Sequence, residues 1–89
     1  MILISREEKD IISSTLPNVY ITIVNKTHSR KKKNYYMEAD KRALRLIIDT
    51  NVSARRELIW LLSVELKNCH DKKRRQKIED EIQELKKGL

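Results

Sequence analysis

Residues 52–66, with the sequence VSARRELIWLLSVEL, form the most apolar stretch of a highly charged chain and contain its single tryptophan. The apolar residues of this stretch recur at the helical spacings of three and four, and they include Leu58, Ile59, Leu61, Leu62 and Leu66. Trp60 and Val64 widen the apolar stripe beyond what a helix packed on one side needs. The stretch predicts a helix of about four turns. We expect it to be buried on more than half of its circumference, by the domain alone or by the domain and a partner.

The length and composition limit the classes of protein to which the chain can belong. Eighty-nine residues suit a single small domain, residues 1–89, with a modest core. One glycine and one proline argue against many strands and favour long helices. Because Cys69 is the only cysteine, an intramolecular disulfide is excluded and a reducing, cytoplasmic location is expected. The apolar start MILIS is too short for a signal peptide. The longest apolar run, residues 58–62, is too short to cross a membrane, so no membrane partner is expected.

The first helix is predicted from its end signals. Ser5 and Glu8 have the spacing of a capping box, in which each side chain accepts a hydrogen bond from the backbone N–H of the other. Pro17 ends the helix, since the residue before a proline is pushed out of the helical region. The side chains expected to point inward are Ile11, Ile12 and Leu16.

Two β-strands are predicted after this helix. Residues 19–24 and 34–39 are rich in β-branched and aromatic residues, which alternate between two faces as paired strands require. The natural pairing is an antiparallel hairpin with a long basic tip. Because a two-stranded hairpin is marginal alone, we expect helices on one face, with Ile2–Ile4 as a candidate third edge strand. Residues 1–39 therefore supply a helix and a hairpin.

Residues 40–89 predict three helices, which makes the fold α+β. Asp40 can cap the first of them, which runs to about Asp49, and Ser53 is the expected cap of the central helix. The apolar side of the first is expected to contain Ala43, Leu44, Leu46, Ile47 and Ile48. The last helix carries a narrow seam of the coiled-coil kind, formed by Ile78, Ile82, Leu85 and Leu89.

The last two helices can form one rod or an antiparallel hairpin. If the apolar stripe of residues 52–66 is continued beyond Leu66 with the same heptad spacing, it reaches Cys69 and then only polar residues. The apolar residues of the last helix therefore do not continue the same stripe. This favours a helical hairpin that turns at about residues 68–71. The apolar seam of the last helix then packs within the chain, or it forms a homodimer contact together with Trp60. The two uses of the seam stay open at this point.

The net charge of +7 and the pI near 9.7 favour a polyanionic partner. Half of the twenty basic residues fall in two runs without acids. Such clusters neutralise phosphates in a salt-sensitive, sequence-tolerant way, although most charge runs are only solvated surface. Tyr35 and Tyr36, beside the first run, could stack on unpaired bases. The runs are Lys26, Arg30, Lys31, Lys32 and Lys33 at the hairpin tip, and Lys72, Lys73, Arg74, Arg75 and Lys77 near the start of the last helix.

Candidate catalytic groups are sparse. Cys69, His70 and His28 lack a second cysteine or a His-x-x-x-His spacing, so the sequence predicts no metal site. The only glycine is Gly88, so a glycine-rich phosphate loop is excluded. We expect a binding protein without a cofactor, and not an enzyme.

The N-terminal half resembles a family on the basis of a few local features. Ile4-Ser5-Arg6-Glu7-Glu8-Lys9, Pro17, a β-branched strand, a basic loop and Tyr35-Tyr36 are similar to small uncharacterised phage and prophage proteins of Gram-positive bacteria. The resemblance covers about residues 3–48 and carries no catalytic motif. It implies the cytoplasm of a bacterial host cell and one of two roles. One is an accessory that binds nucleic acid or a nucleoprotein complex. The other is a stoichiometric inhibitor of a host protein, such as an anti-CRISPR protein.

Overall fold

A computed structural model describes residues 1–24 and 34–89 of the chain. Their architecture confirms the predicted α+β fold, with an antiparallel sheet and a helical hairpin at the C-terminal end. The predicted basic hairpin tip lies outside the described residues. The strands are β1 (Ile2–Ile4), β2 (Ile21–Val24) and β3 (Asn34–Met37), and the helices are α1 (Arg6–Thr15), α2 (Lys41–Ile47), α3 (Val52–Asn68) and α4 (Lys72–Lys87).

The sheet has the order β1-β3-β2, and both pairings are antiparallel. This confirms the predicted hairpin and the candidate third strand, and it places β3 in the centre. Tyr35 and Met37 of β3 are buried, and so are Ile2 and Ile4 opposite them in β1. Because side chains alternate along a strand, the other face carries Leu3, which is exposed. One face of the sheet therefore belongs to the core.

Helix α1 begins with the predicted capping box. The Glu8 N–H donates to Ser5 Oγ at 3.2 Å, and the Ser5 N–H donates to Glu8 Oε1 at 2.9 Å. The expectation that Ile11 points inward is wrong, since its side chain is exposed while Ile12 is fully buried. The two lie about 100° apart on the helix, and the core covers only the side that carries Glu8 and Ile12.

Helix α3 begins at Val52 because Asn51, and not Ser53 as predicted, is its N-cap. Asn51 Oδ1 accepts a hydrogen bond from the Ala54 N–H at 3.0 Å. The same side chain donates through Nδ2 to the Leu3 carbonyl at 3.1 Å and to Glu8 at 3.3 Å. An amide can cap and donate at once, whereas a serine at this position would not reach both neighbours. Asn51 therefore joins α3 to β1 and α1.

The predicted burial of α3 holds on one side, where Ile59, Leu61 and Leu66 are half-buried against the core, but Trp60 and Val64, which widened the predicted stripe, are exposed. Its buried residues are Ala54, Leu58 and Leu62, four apart on one side. Trp60 is 61% exposed and lies about 200° around the helix from Leu58. Helices α2 and α4 and strand β1 all pack on the Leu58 side, so the outward side has no neighbour among the described residues.

Helix α4 folds back on α3 as predicted. The predicted seam residues Ile78, Ile82 and Leu85 are buried in the same core cluster as Leu58, while Leu89 is exposed. The structure therefore places the seam within the chain and not at a homodimer contact. Arg55 closes the far end of the hairpin, since its Nη1 donates to the Leu85 carbonyl at 2.9 Å and its Nε to the Ile48 carbonyl at 3.3 Å.

Candidate nucleic-acid interface

The start of α4 presents lysines to solvent. Asp71 caps the helix by accepting a hydrogen bond from the Lys73 N–H at 3.0 Å. Lys72, Lys73 and Lys77 are all exposed, and none of them forms an ion pair with any described residue. Cations in the first turn oppose the helix dipole by a few tenths of a kcal/mol each. These three side chains are therefore available to an external anion.

Arg75, which the sequence placed in the same binding run, has a structural role. Its Nη1 donates to the Leu66 carbonyl at 3.0 Å and to the Cys69 carbonyl at 2.9 Å. These carbonyls belong to the last turn and cap of α3, where helix carbonyls lack partners within the helix. The guanidinium is half-buried there. Arg75 therefore has an internal role that the sequence did not indicate, and its contact with a partner stays a prediction.

Arg74 belongs to a charged cluster that joins three helices through Glu65. The Glu65 carboxylate pairs with Lys41 of α2 and lies 3.8 Å from Arg74 Nη2. The hydrogen bond from Lys41 is the largest cause that lowers the pKa of Glu65 below its ordinary value, and the charges of Arg74 and Arg45 act in the same direction. One carboxylate therefore faces three cations, and positive charge remains in excess around it.

The second acid near this cluster is Glu81 of α4. Arg45 of α2 donates to it through Nε at 2.8 Å and through Nη2 at 3.2 Å, a bidentate geometry that fixes the guanidinium plane. The Glu81 hydrogen bond raises the pKa of Arg45, which is charged in any case. Sequence reasoning missed Lys41 and Arg45. Their spacing of four on one helix was the available signal, since it puts both on one face.

The two tyrosines beside the basic loop have different positions. Tyr35 is 8% exposed and packs in the core, with Lys9 Nζ 5.4 Å from its ring centroid. Its contact with a partner stays a prediction, and its buried position offers little surface for one. Tyr36 lies on the opposite face of β3 and is half-buried. The remaining predicted contacts, Lys26, Arg30, Lys31, Lys32 and Lys33, lie outside the described residues.

The strand ends that flank residues 25–33 and the start of α4 lie near different ends of α3. Val24 and Asn34, the strand ends that flank the loop, are paired with each other, and β1 beside them is joined to the N-cap of α3 through Asn51. The start of α4 adjoins the opposite end of α3, where Arg75 binds Cys69. Seventeen helical residues span roughly 25 Å. The strand ends beside residues 25–33 and the start of α4 therefore adjoin opposite ends of α3.

Trp60, predicted as a residue of the core or of a partner contact, lies at the surface. Val52 and Val64 of the same helix are also exposed, by 57% and 39%. The other predicted interface residues, Ile78, Ile82 and Leu85, are core residues. An apolar strip on α3 is therefore a further exposed feature of the described surface, separate from the lysines of α4.

Two shallow grooves flank the helical hairpin. One, of about 340 Å³, is lined by Glu65, Asn68, Cys69 and Arg74. The other, of about 390 Å³, runs between α3 and α4 beside Leu66 and Ile82. In residues 1–24 and 34–89 no group of three or more His, Cys, Asp or Glu side chains is arranged to hold a metal ion. None of the described helices is long and apolar enough to span a membrane.

The chain was also compared with known proteins. No family model matches it, and neither a curated protein nor a solved structure does.

Proposed function

We propose that this chain is a non-enzymatic accessory protein, of the phage type, that binds nucleic acid or a nucleoprotein complex. The observation that carries the proposal is the exposure of Lys72, Lys73 and Lys77 at the start of α4 without an ion pair among the described residues. Lysines held in this way make point-charge contacts with phosphates. Such contacts neutralise the backbone of a nucleic acid without reading its bases.

The distribution of charge along the chain supports the same function. Residues 25–33 contain five basic residues and no acid, so they account for +5 of the net charge of +7. All thirteen acids lie elsewhere, and several of them neutralise arginines within the fold, as Glu81 does for Arg45. The uncompensated charge is thus concentrated in the loop segment and at the start of α4. Both would contact phosphates, with Tyr36 beside the loop.

The proposal is tested by fluorescence anisotropy with labelled duplex DNA, single-stranded DNA and RNA at several salt concentrations. On duplex DNA, each phosphate contact that is lost lowers the slope of log K against log salt by about 0.9. Replacing Lys72 and Lys73 with alanine should therefore weaken binding and lower the slope by about 1.8. The matched control replaces Lys86 and Lys87, exposed at the other end of α4, and should leave the slope unchanged.

The loop is tested by replacing Lys31, Lys32 and Lys33 with glutamate. We expect this variant to lose binding while its far-UV circular dichroism and its melting temperature stay those of the parent. Unchanged affinity would remove the loop from the binding surface. Failure of the parent protein to bind any of the three nucleic acids at low salt would refute the proposed function.

The alternative function is that of a stoichiometric protein inhibitor of a host defence or nucleic-acid enzyme, similar to an anti-CRISPR protein. It would act through exposed apolar side chains of residues 52–89, and the exposure of Trp60 favours it. This alternative predicts that binding changes little with salt, because apolar burial is not screened by ions. It also predicts that the Lys72 and Lys73 variant inhibits as well as the parent.

A further inference from the structure

The outward side of α3 carries a row of residues spaced by four: Val52, Arg56, Trp60 and Val64. All four are exposed, and Trp60 is the most exposed of the apolar three, at 61%. Arg56 forms no hydrogen bond or ion pair with the described residues. A tryptophan and two valines on one exposed strip are costly to keep in water, and such strips commonly mark contact surfaces.

The row is complementary to a reversed copy of itself. If a second α3 lies antiparallel with the two-fold axis beside residue 58, Val52 faces Val64 of the other copy and Arg56 faces Trp60. Each of these pairs occurs twice, as an isologous contact requires. The Val52–Val64 pairs then lie at the two ends of the contact. Near its centre, the Arg56 guanidinium of each copy lies against the Trp60 indole of the other, and tryptophan is the most favourable ring for a cation–π interaction.

The charges at the ends of α3 agree with the same register. Lys67 lies in the last turn of the helix and is exposed. Asp49 lies in the turn before the helix, and its side chain is 91% exposed although its carboxylate is 3.6 Å from Arg55 Nη2. The antiparallel arrangement brings each Lys67 towards the Asp49 end of the other copy. A parallel arrangement would instead set Arg56 beside Arg56 and Lys67 beside Lys67, so like charges would repel.

We propose that the occupant of this strip is a second copy of the chain, and that the protein forms a two-fold dimer through antiparallel α3 helices. The contact is short, because α3 is roughly 25 Å long. An interface of this size falls in the small class that dissociates readily. The dimer is therefore expected to separate on dilution, and the lysines of α4 lie outside the contact.

Sedimentation equilibrium over a wide range of protein concentrations measures the monomer–dimer equilibrium. Trp60→Ala should raise the dissociation constant at least tenfold, because buried tryptophans at interface centres contribute most to binding. The melting temperature of dilute, monomeric protein should not change, since Trp60 is not part of the core. The matched control is Ile11→Ala, which removes an exposed apolar side chain from α1 and should leave the equilibrium unchanged. A protein that stays monomeric at all concentrations would overturn the proposal, and so would a dimer that Trp60→Ala leaves intact.

The register is tested by disulfide trapping in a Cys69→Ser background, which removes the only natural thiol. Mixing the Val52→Cys and Val64→Cys variants under mild oxidation should give a disulfide between the two, while each alone gives much less. A Val52→Cys variant that couples efficiently to itself would indicate parallel helices and overturn the arrangement.

The charged ends give an independent test. Asp49→Lys alone and Lys67→Glu alone should each weaken the dimer, and the double variant should recover affinity because each swapped pair is again of opposite sign. A double variant weaker than both single variants would refute the Asp49–Lys67 contact and this register.

Discussion

Replacing Glu8 should destabilise the protein far more than replacing its neighbour Glu7. Among the residues that the structure describes, Glu8 is the one charged residue that is buried, at 8% exposed. Its carboxylate accepts hydrogen bonds from the Ser5 N–H at 2.9 Å, from Thr50 Oγ1 at 3.2 Å and from Asn51 Nδ2 at 3.3 Å. One side chain thus joins the start of α1 to the turn before α3.

The size of the effect follows from these contacts. Loss of the capping box costs about 1 kcal/mol, and each hydrogen bond to a charged group contributes about 1.5 kcal/mol or more. Thr50 is exposed and can recover its hydrogen bond from water, so the capping box and the hydrogen bond from Asn51 account for most of the loss. Glu8→Ala should therefore lower the free energy of unfolding by about 3 kcal/mol. For a domain of this length, that corresponds to a melting temperature lower by about 12 to 24 °C.

The assay is urea and thermal unfolding followed by far-UV circular dichroism. Tryptophan fluorescence is a weaker probe, since Trp60 is already exposed in the folded state. Glu7→Ala removes only an exposed charge from the first turn and should cost about 0.3–1 kcal/mol. Glu8→Gln keeps one carbonyl acceptor and should fall between the two. If Glu8→Ala costs no more than Glu7→Ala, Glu8 acts only as a charge at the helix start and the reasoning is wrong.

Two further predictions follow from the charged side chains of α3 and α4. Arg75→Ala should lower the free energy of unfolding by about 1.5–3 kcal/mol, because it leaves the Leu66 and Cys69 carbonyls without their donor. The free energy of unfolding of Lys73→Ala should stay within about 0.5 kcal/mol of that of the parent. If urea unfolding gives equal losses for the two variants, Arg75 has no special structural role. Lys41 and its neighbours lower the pKa of Glu65. The ion pairing of Glu65 therefore stabilises the fold at pH values above the ordinary pKa range of a carboxyl group. That stabilisation is lost as the pH falls below about 4.5 through the folded-state pKa. Glu65→Gln should therefore flatten the dependence of the urea midpoint on pH between about 5 and 3, and an unchanged profile would exclude a contribution from this pair.

Local signals in the sequence predicted the starts of α1 and α2 correctly, whereas the predicted strands, residues 19–24 and 34–39, are longer than the observed Ile21–Val24 and Asn34–Met37. The capping box of Ser5 and Glu8 and the Asp40 cap need only a few neighbouring residues to form, and both are present in the structure. The cap of α3 was missed because Asn51 is fixed by distant groups, the Leu3 carbonyl and the Glu8 carboxylate. A pattern within residues 51–57 carries no information about them.

The burial of α3 shows a second limit of periodicity. Spacings of three and four establish that a helix forms, but they do not say how many neighbours the fold can supply. The elements that the structure describes cover one side of α3, and Leu58 and Leu62 lie on that side. Trp60 has the same hydrophobic character as these leucines and lies outside. Its position could be predicted only from the size of the domain, which is too small to surround a central helix.

The arginines of the helix ends and the lysines at the start of α4 make different contacts, and the net charge does not show this difference. The guanidinium groups of Arg55 and Arg75 donate to carbonyls at the ends of helices, and that of Arg45 binds Glu81 at two points. A planar group with several fixed donors suits such sites, and a lysine would satisfy fewer of these acceptors. The lysines at the start of α4 have no such partner among the described residues. If the proposed function is correct, a count of basic residues overstates the charge available to phosphates, because Arg45, Arg55 and Arg75 are already used within the fold.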